Sequence, residues 1–152
     1  MAVRRIGRID VEDLVLGNTV EHGKLFVTGH PVTFDFGHNT EKSPHFGAAF
    51  GQDIEPAGYY MIQVAPNAVL SKGWLGGSCH LRSPLVLQLS IDPDKIYGPT
   101  GWKARLHKAT KKKGDALSHQ ILALGFDGIV TVTKSGTSEI VALRPGESLR
   151  SR

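Results

Sequence analysis

The stretch GFDGIVTVTKSGTSEIVAL, Gly125 to Leu143, constrains the fold more than any other part of the chain. Two apolar runs, Ile129 to Thr133 and Glu139 to Leu143, flank a turn around Ser135-Gly136, which is the pattern of two strands joined by a short connection. One carboxylate, Glu139, opens the second run. An unpaired buried carboxylate is costly, so this residue is either a solvated strand end or is kept for a role.

The surroundings supply further elements. Leu117, Ile121 and Leu124 fall on one helical face after Asp115, which reads as an N-cap, and Gly125 stands where a left-handed C-terminal cap belongs. Trp102 to Lys112 forms a second helix after a Gly-Pro-Thr-Gly turn. Strands are expected over KLFVTGH (Lys24 to His30, stopped by Pro31), over AGYYMIQVA around Tyr59 to Val64, and over Pro84 to Ile91. VEDLVLGN reads as a short turn or strand ended by Gly17-Asn18. Thr33 to Pro56 is expected to be a long loop with a short helix near HFGAAFG, SKGWLGGSCHLRS a second loop, and RPGESLRSR a loose tail. Strands outnumber helices without alternating with them, so the class is α+β.

A chain of 152 residues fits a single domain able to bury roughly two thirds of its unfolded surface. No apolar run approaches the ~20 residues of a membrane helix, and MAVRRIGRID lacks the apolar core of a signal peptide. The single cysteine, Cys79, excludes an internal disulfide and a cysteine-based zinc site, and fits a reducing, cytoplasmic setting. Much of the net charge of +4 lies in KARLHKATKKK, Lys103 to Lys113, which contains no acidic residue. That stretch is either a solvated helix face or a surface for phosphates.

Three polar features stand at the ends of apolar strands: His30, the pair Tyr59-Tyr60, and Glu139. Tyr59 and Tyr60 must point to opposite faces of their strand, one toward packing and the other available to a ligand. Cys79 and His80 are adjacent on an extended segment, point apart, and cannot act on each other as nucleophile and base. The seven histidines show no H-x-x-x-H or comparable spacing, so no metal site is expected. No P-loop is present, and no G-x-G-x-x-G leads from a strand into a helix.

The order of these residues, His30 closing one strand, Tyr60 in a G-x-Y context on a second and Glu139 on a late strand, resembles the ADP-ribosyltransferase superfamily. The likeness is to its His-Tyr-Glu branch, that of diphtheria toxin and the poly-ADP-ribose polymerases. ALGFDGIV followed by SEIVALRP is similar to the ending of small ADP-ribosyltransferase-like domains, phage-encoded ones included. SPLVLQL, WKA, ALSHQILALGFDG and DIEPAGYYM extend the resemblance over about Lys24 to Pro145, within one domain of residues 1–152.

The resemblance implies a split antiparallel β core with short flanking helices, and NAD as co-substrate. Glu139 would be the catalytic carboxylate, stabilising the ribose cation that forms as nicotinamide leaves. Tyr60 would stack on the nicotinamide, with Tyr59 beside it in the cofactor-binding set, and His30 would hydrogen-bond the adenosine ribose. The acceptor of ADP-ribose would be a protein or a nucleic acid. The chain departs from the family where Pro31 follows His30 in place of glycine, which leaves His38 or His45 as alternatives for that position. It departs again at Thr137, where arginine-modifying relatives carry Glu or Gln. Two rival readings are a binding module of the same fold without catalysis and a small basic nucleic-acid-binding protein.

Overall fold

The computed structural model describes residues 5–6, 9–10, 18–21, 24–40, 54–88, 102–133 and 136–151. VEDLVLGN up to Gly17, the HFGAAFG segment and the alternative histidine His45 lie outside the described residues. Two short hairpins stand at the N-terminal end: β1 (Arg5–Ile6) with β2 (Ile9–Asp10), and β3 (Asn18–Glu21) with β4 (Lys24–Val27). The main sheet contains β5 (Val32–Asn39), β6 (Tyr59–Gln63), β7 (Trp74–Leu81), β8 (Pro84–Gln88), β9 (Gly128–Thr133), β10 (Gly136–Ala142) and β11 (Leu149–Ser151). Among the described residues the helices, in chain order, are α1 (Trp102–Thr110), α2 (Gly114–Ala123) and the short α3 (Pro145–Ser148). The class is α+β with a mostly antiparallel sheet; among the described strands only β8 and β9 pair in parallel.

Three segments differ from the sequence reading. The strand expected over Lys24 to His30 ends at Val27, and β5 begins just past Pro31, in a stretch read as loop. The Gly-rich segment around Ser78 is also a strand, β7, and its eight pairings with β5 are what make strands of both. The C-terminal tail forms α3 and β11, and β11 pairs with β7 at Cys79, Ser78 and Gly77.

Strand order is β11-β7-β5-β6-β10-β9-β8. β7 and β8 thus sit five strand positions apart, about 24 Å in a flat sheet. Only Arg82 and Ser83 join them, a reach of about 11 Å at most. The sheet therefore has to curl. Asp127 fastens the seam: its Oδ2 and Oδ1 accept the amides of Arg82 at 2.8 Å and Ser83 at 2.9 Å. Gly128 lets the curled edges meet, because a Cβ there would lie 2.7 Å from the methyls of Leu81.

Alternation along the strands sorts side chains into two cores. Inside the curl lie Phe34, Phe36, Met61, Cys79, Leu81, Val86, Val130, Val132, Ile140 and Ala142. On the outer face, Leu85, Leu87, Ile129, Val141 and Leu143 pack against Trp102 and Leu106 of α1, Leu117 and Ile121 of α2, and Phe126. The end of α2 is as its sequence requires, with Gly125 at φ +96°. Its start is shifted by two residues: Lys113 is the N-cap and Asp115 stands in the first turn.

Candidate functional site

Glu139 sits at an irregularity in the sheet. Thr137 pairs with Val132 and Ile140 with Val130, so Ser138 and Glu139 together stand opposite Thr131. Such a bulge bends its strand and re-aims a side chain. The fully buried Thr131 pins it, donating its hydroxyl to the Glu139 carbonyl at 2.6 Å.

The Glu139 carboxylate emerges on the helix-covered face and meets Lys103, in the first turn of α1. Lys103 Nζ lies 3.0 Å from Glu139 Oε2 and 2.9 Å from Glu55 Oε2. The lysine side chain is 5% exposed, Glu55 11% and Glu139 27%. Lys103 is buried because it shares the inward face of α1 with Trp102 and Leu106. An ammonium taken out of water needs paired charges and hydrogen bonds, and the two carboxylates provide both. Glu55 is held in place by its own backbone: its carbonyl accepts the Gly114 amide at 2.9 Å, and Ser118 donates to the nearby Ala57 carbonyl at 2.6 Å. The cluster is thus supported from the loop before β6, from α1 and from β10.

Tyr60 forms the wall of this cluster. It pairs with Val141, two residues from Glu139, and packs against the helix-side core. Its hydroxyl donates to the Pro56 carbonyl at 2.7 Å, and Lys103 Nζ lies 5.0 Å from its ring centroid, a cation–π distance. Burial, then the negative charges of Glu55 and Glu139, push the Tyr60 phenol well above its usual range. The Trp102 ring also lies near the ammonium, its centroid at 5.6 Å.

The remaining residues singled out in the sequence lie elsewhere. Tyr59 points to the inner face, where its ring meets Phe36 edge-on at 5.8 Å and stacks on His38 at 4.0 Å. His30 is exposed in the turn between β4 and β5, which lies along β8: Gly29 donates to the Pro84 carbonyl, and Val86 donates to Thr28 Oγ1. The structure therefore brings Tyr60 and Glu139 together and leaves both His30 and Tyr59 apart from them. The physical reasons are the turn enforced before Pro31 and the alternation of β6. The alternative His38 donates from Nδ1 to the Tyr60 carbonyl at 2.5 Å, but its ring belongs to the inner face with Tyr59. Thr137 donates to Gln63 Oε1 at 2.9 Å.

Lys103 and Glu55 are the residues the sequence reading missed. A signal existed for Lys103, since its spacing to Leu106 puts it on the apolar stripe of α1. None existed for Glu55, whose place depends on the loop's attachment to α2. Cys79 is fully buried, and burial followed by the charge of Asp127 raises its thiol to about 12, so it is not a nucleophile at neutral pH. Among the described residues no group of three His, Cys, Asp or Glu side chains is placed to hold a metal ion, and no helix is long and apolar enough to cross a membrane.

Comparison of the chain with family models, with curated proteins and with solved structures returns no match. The functional reading therefore rests on the residues themselves.

Proposed function

We propose that the protein is an NAD-dependent ADP-ribosyltransferase whose working carboxylate is Glu139. The observation that carries this reading is the pairing of Glu139, at a sheet bulge and partly open to solvent, with Tyr60 on one face of neighbouring strands. Lys103 takes Glu139 Oε2, which fixes the carboxylate and leaves Oε1 to accept a hydrogen bond from the ribose 2′-hydroxyl of NAD. As the bond to nicotinamide breaks, its electron pair leaves with the nicotinamide ring. Positive charge then develops on the ribose, where a fixed carboxylate stabilises it. Tyr60, tied at its hydroxyl, supplies a rigid aromatic wall. The exposed cations Arg105, Lys108, Lys111, Lys112 and Lys113 lie along and beyond the same helix that carries Lys103, and favour an acceptor that presents phosphates or carboxylates.

A second reading is a nucleotide-binding module of the same architecture that performs no cleavage. It is favoured by one observation: neither His30 nor His38 faces the Glu139 cluster. Nicotinamide release from NAD by the purified protein and by Glu139→Gln, with NAD binding measured alongside, decides between them. Release that falls on the order of 100-fold in the variant, at similar NAD affinity, is the expected result. NAD binding without release, in the presence of candidate protein and nucleic-acid acceptors, assigns the binding module.

A further inference from the structure

A cavity of about 460 Å³ opens near the seam where the sheet curls, at the end of β10 away from Glu139. Arg144, on its rim, follows Glu139 by five steps along mostly extended chain, roughly 16 Å. The volume falls within the range of small-molecule sites. Its apolar side is made by Leu122, near the end of α2, and the buried Phe126. Its basic residues come from three separate segments: His80 on β7, Arg82 in the β7–β8 bend and Arg144 just after β10.

Two carboxylates also line the cavity, and neither forms a close ion pair with its arginines. Asp127 is committed to the amides of Arg82 and Ser83. Glu147 approaches Arg144 only at 3.8 Å, with the two side chains 71% and 57% exposed, a contact that is worth little and that a bound anion can displace. Among the described residues no carboxylate forms an ion pair with the Arg82 guanidinium. His80 uses Nδ1 toward Thr33 Oγ1 at 2.7 Å, which leaves Nε2 as the ring nitrogen for a ligand.

We infer that this cavity binds an organic phosphomonoester of nucleotide size, its phosphate held by Arg82 and Arg144 and its organic part resting on the half-buried Leu122, which Phe126 backs from the core. Planar guanidinium forks match phosphate oxygens two at a time, and two such forks beside an imidazole and an apolar wall suit a dianionic head on an organic body. This site is independent of the chemistry at Glu139.

Calorimetric titration of the full chain at low salt with AMP, adenosine and inorganic phosphate tests the inference. AMP is expected to bind one to one, phosphate more weakly, and adenosine not measurably. Arg82→Gln and Arg144→Gln should each weaken AMP at least tenfold without lowering the melting temperature. Should an arginine variant fold poorly, Glu147→Gln carries the test, because removing that competing carboxylate should tighten AMP severalfold. Absence of AMP binding at millimolar concentration, adenosine binding as well as AMP, undiminished AMP binding in both arginine variants, or no gain in Glu147→Gln would overturn the assignment.

Discussion

Tyr59 and Tyr60 are neighbours in the chain, yet they report on two different surfaces of one sheet. Tyr59 faces the inside of the curl, among Phe36, Met61 and Ile140, with His38 stacked on its ring. Tyr60 faces the helices, in contact with an ammonium shared by two carboxylates. One strand thus serves a surface built for cohesion and another built to hold charge in a fixed arrangement. The difference teaches where to look for chemistry. The inner face gains nothing from a particular arrangement beyond close packing, whereas the outer face keeps three ionised groups that a merely stable protein could replace by apolar ones.

The comparison breaks most visibly on the inner face. Phe36→Ala removes a ring that is 3% exposed and packed against Tyr59, and should destabilise the protein by about 3–5 kcal/mol in equilibrium urea unfolding. A loss under about 1 kcal/mol would mean that the curl is not closely packed.

The outer face should respond through charge. Lys103→Met leaves Glu55 and Glu139 facing each other without their cation and should cost about 2–4 kcal/mol, the lower part reflecting the partial exposure of Glu139. Adding Glu55→Gln and Glu139→Gln to that variant should restore most of the stability. If the triple variant is no better than the single one, the loss in Lys103→Met does not come from leaving the two carboxylates without their cation.

A smaller effect separates the two faces by pH. The Tyr60 phenol titrates higher in the folded protein than in the unfolded chain, so its contribution is complete below about pH 10 and is lost as pH rises above that. The Cys79 thiol, raised to about 12, adds a loss of the same sign that begins nearer its ordinary value of 9.0. Tyr60→Phe gives up the hydrogen bond to Pro56, about 1 kcal/mol at neutral pH, and should flatten the decline above pH 10 as followed by urea unfolding. An unchanged slope would place the alkaline loss on the inner face, at Cys79 and at Tyr59, whose phenol is also raised by burial.

What the sequence made legible follows the range of the interactions involved. β6, β8, β9, β10 and both longer helices are visible because their patterns are local: β-branched runs, a 3.6-residue stripe and the left-handed glycine at Gly125. β5 and β7 are rich in Gly, His, Ser and Asn, and owe their extended form to each other. No window of either sequence could announce that pairing. β11 was hidden for the same reason, since the polar tail becomes a strand only against β7. At the site, Glu139 and Tyr60 were legible as polar residues on apolar strands. The partnership of Lys103 with Glu55 and Glu139 was not, because it joins three segments distant in sequence.

The most direct test compares the two carboxylates that share Lys103. Glu139→Gln and Glu55→Gln each remove one of its ion pairs, but only Glu139, the more exposed of the two, is assigned to the chemistry. Nicotinamide release from NAD should fall on the order of 100-fold in Glu139→Gln and stay within a few-fold of the unmodified protein in Glu55→Gln. Equal losses in the two variants, or full activity in Glu139→Gln, would contradict the assignment of Glu139 as the working carboxylate.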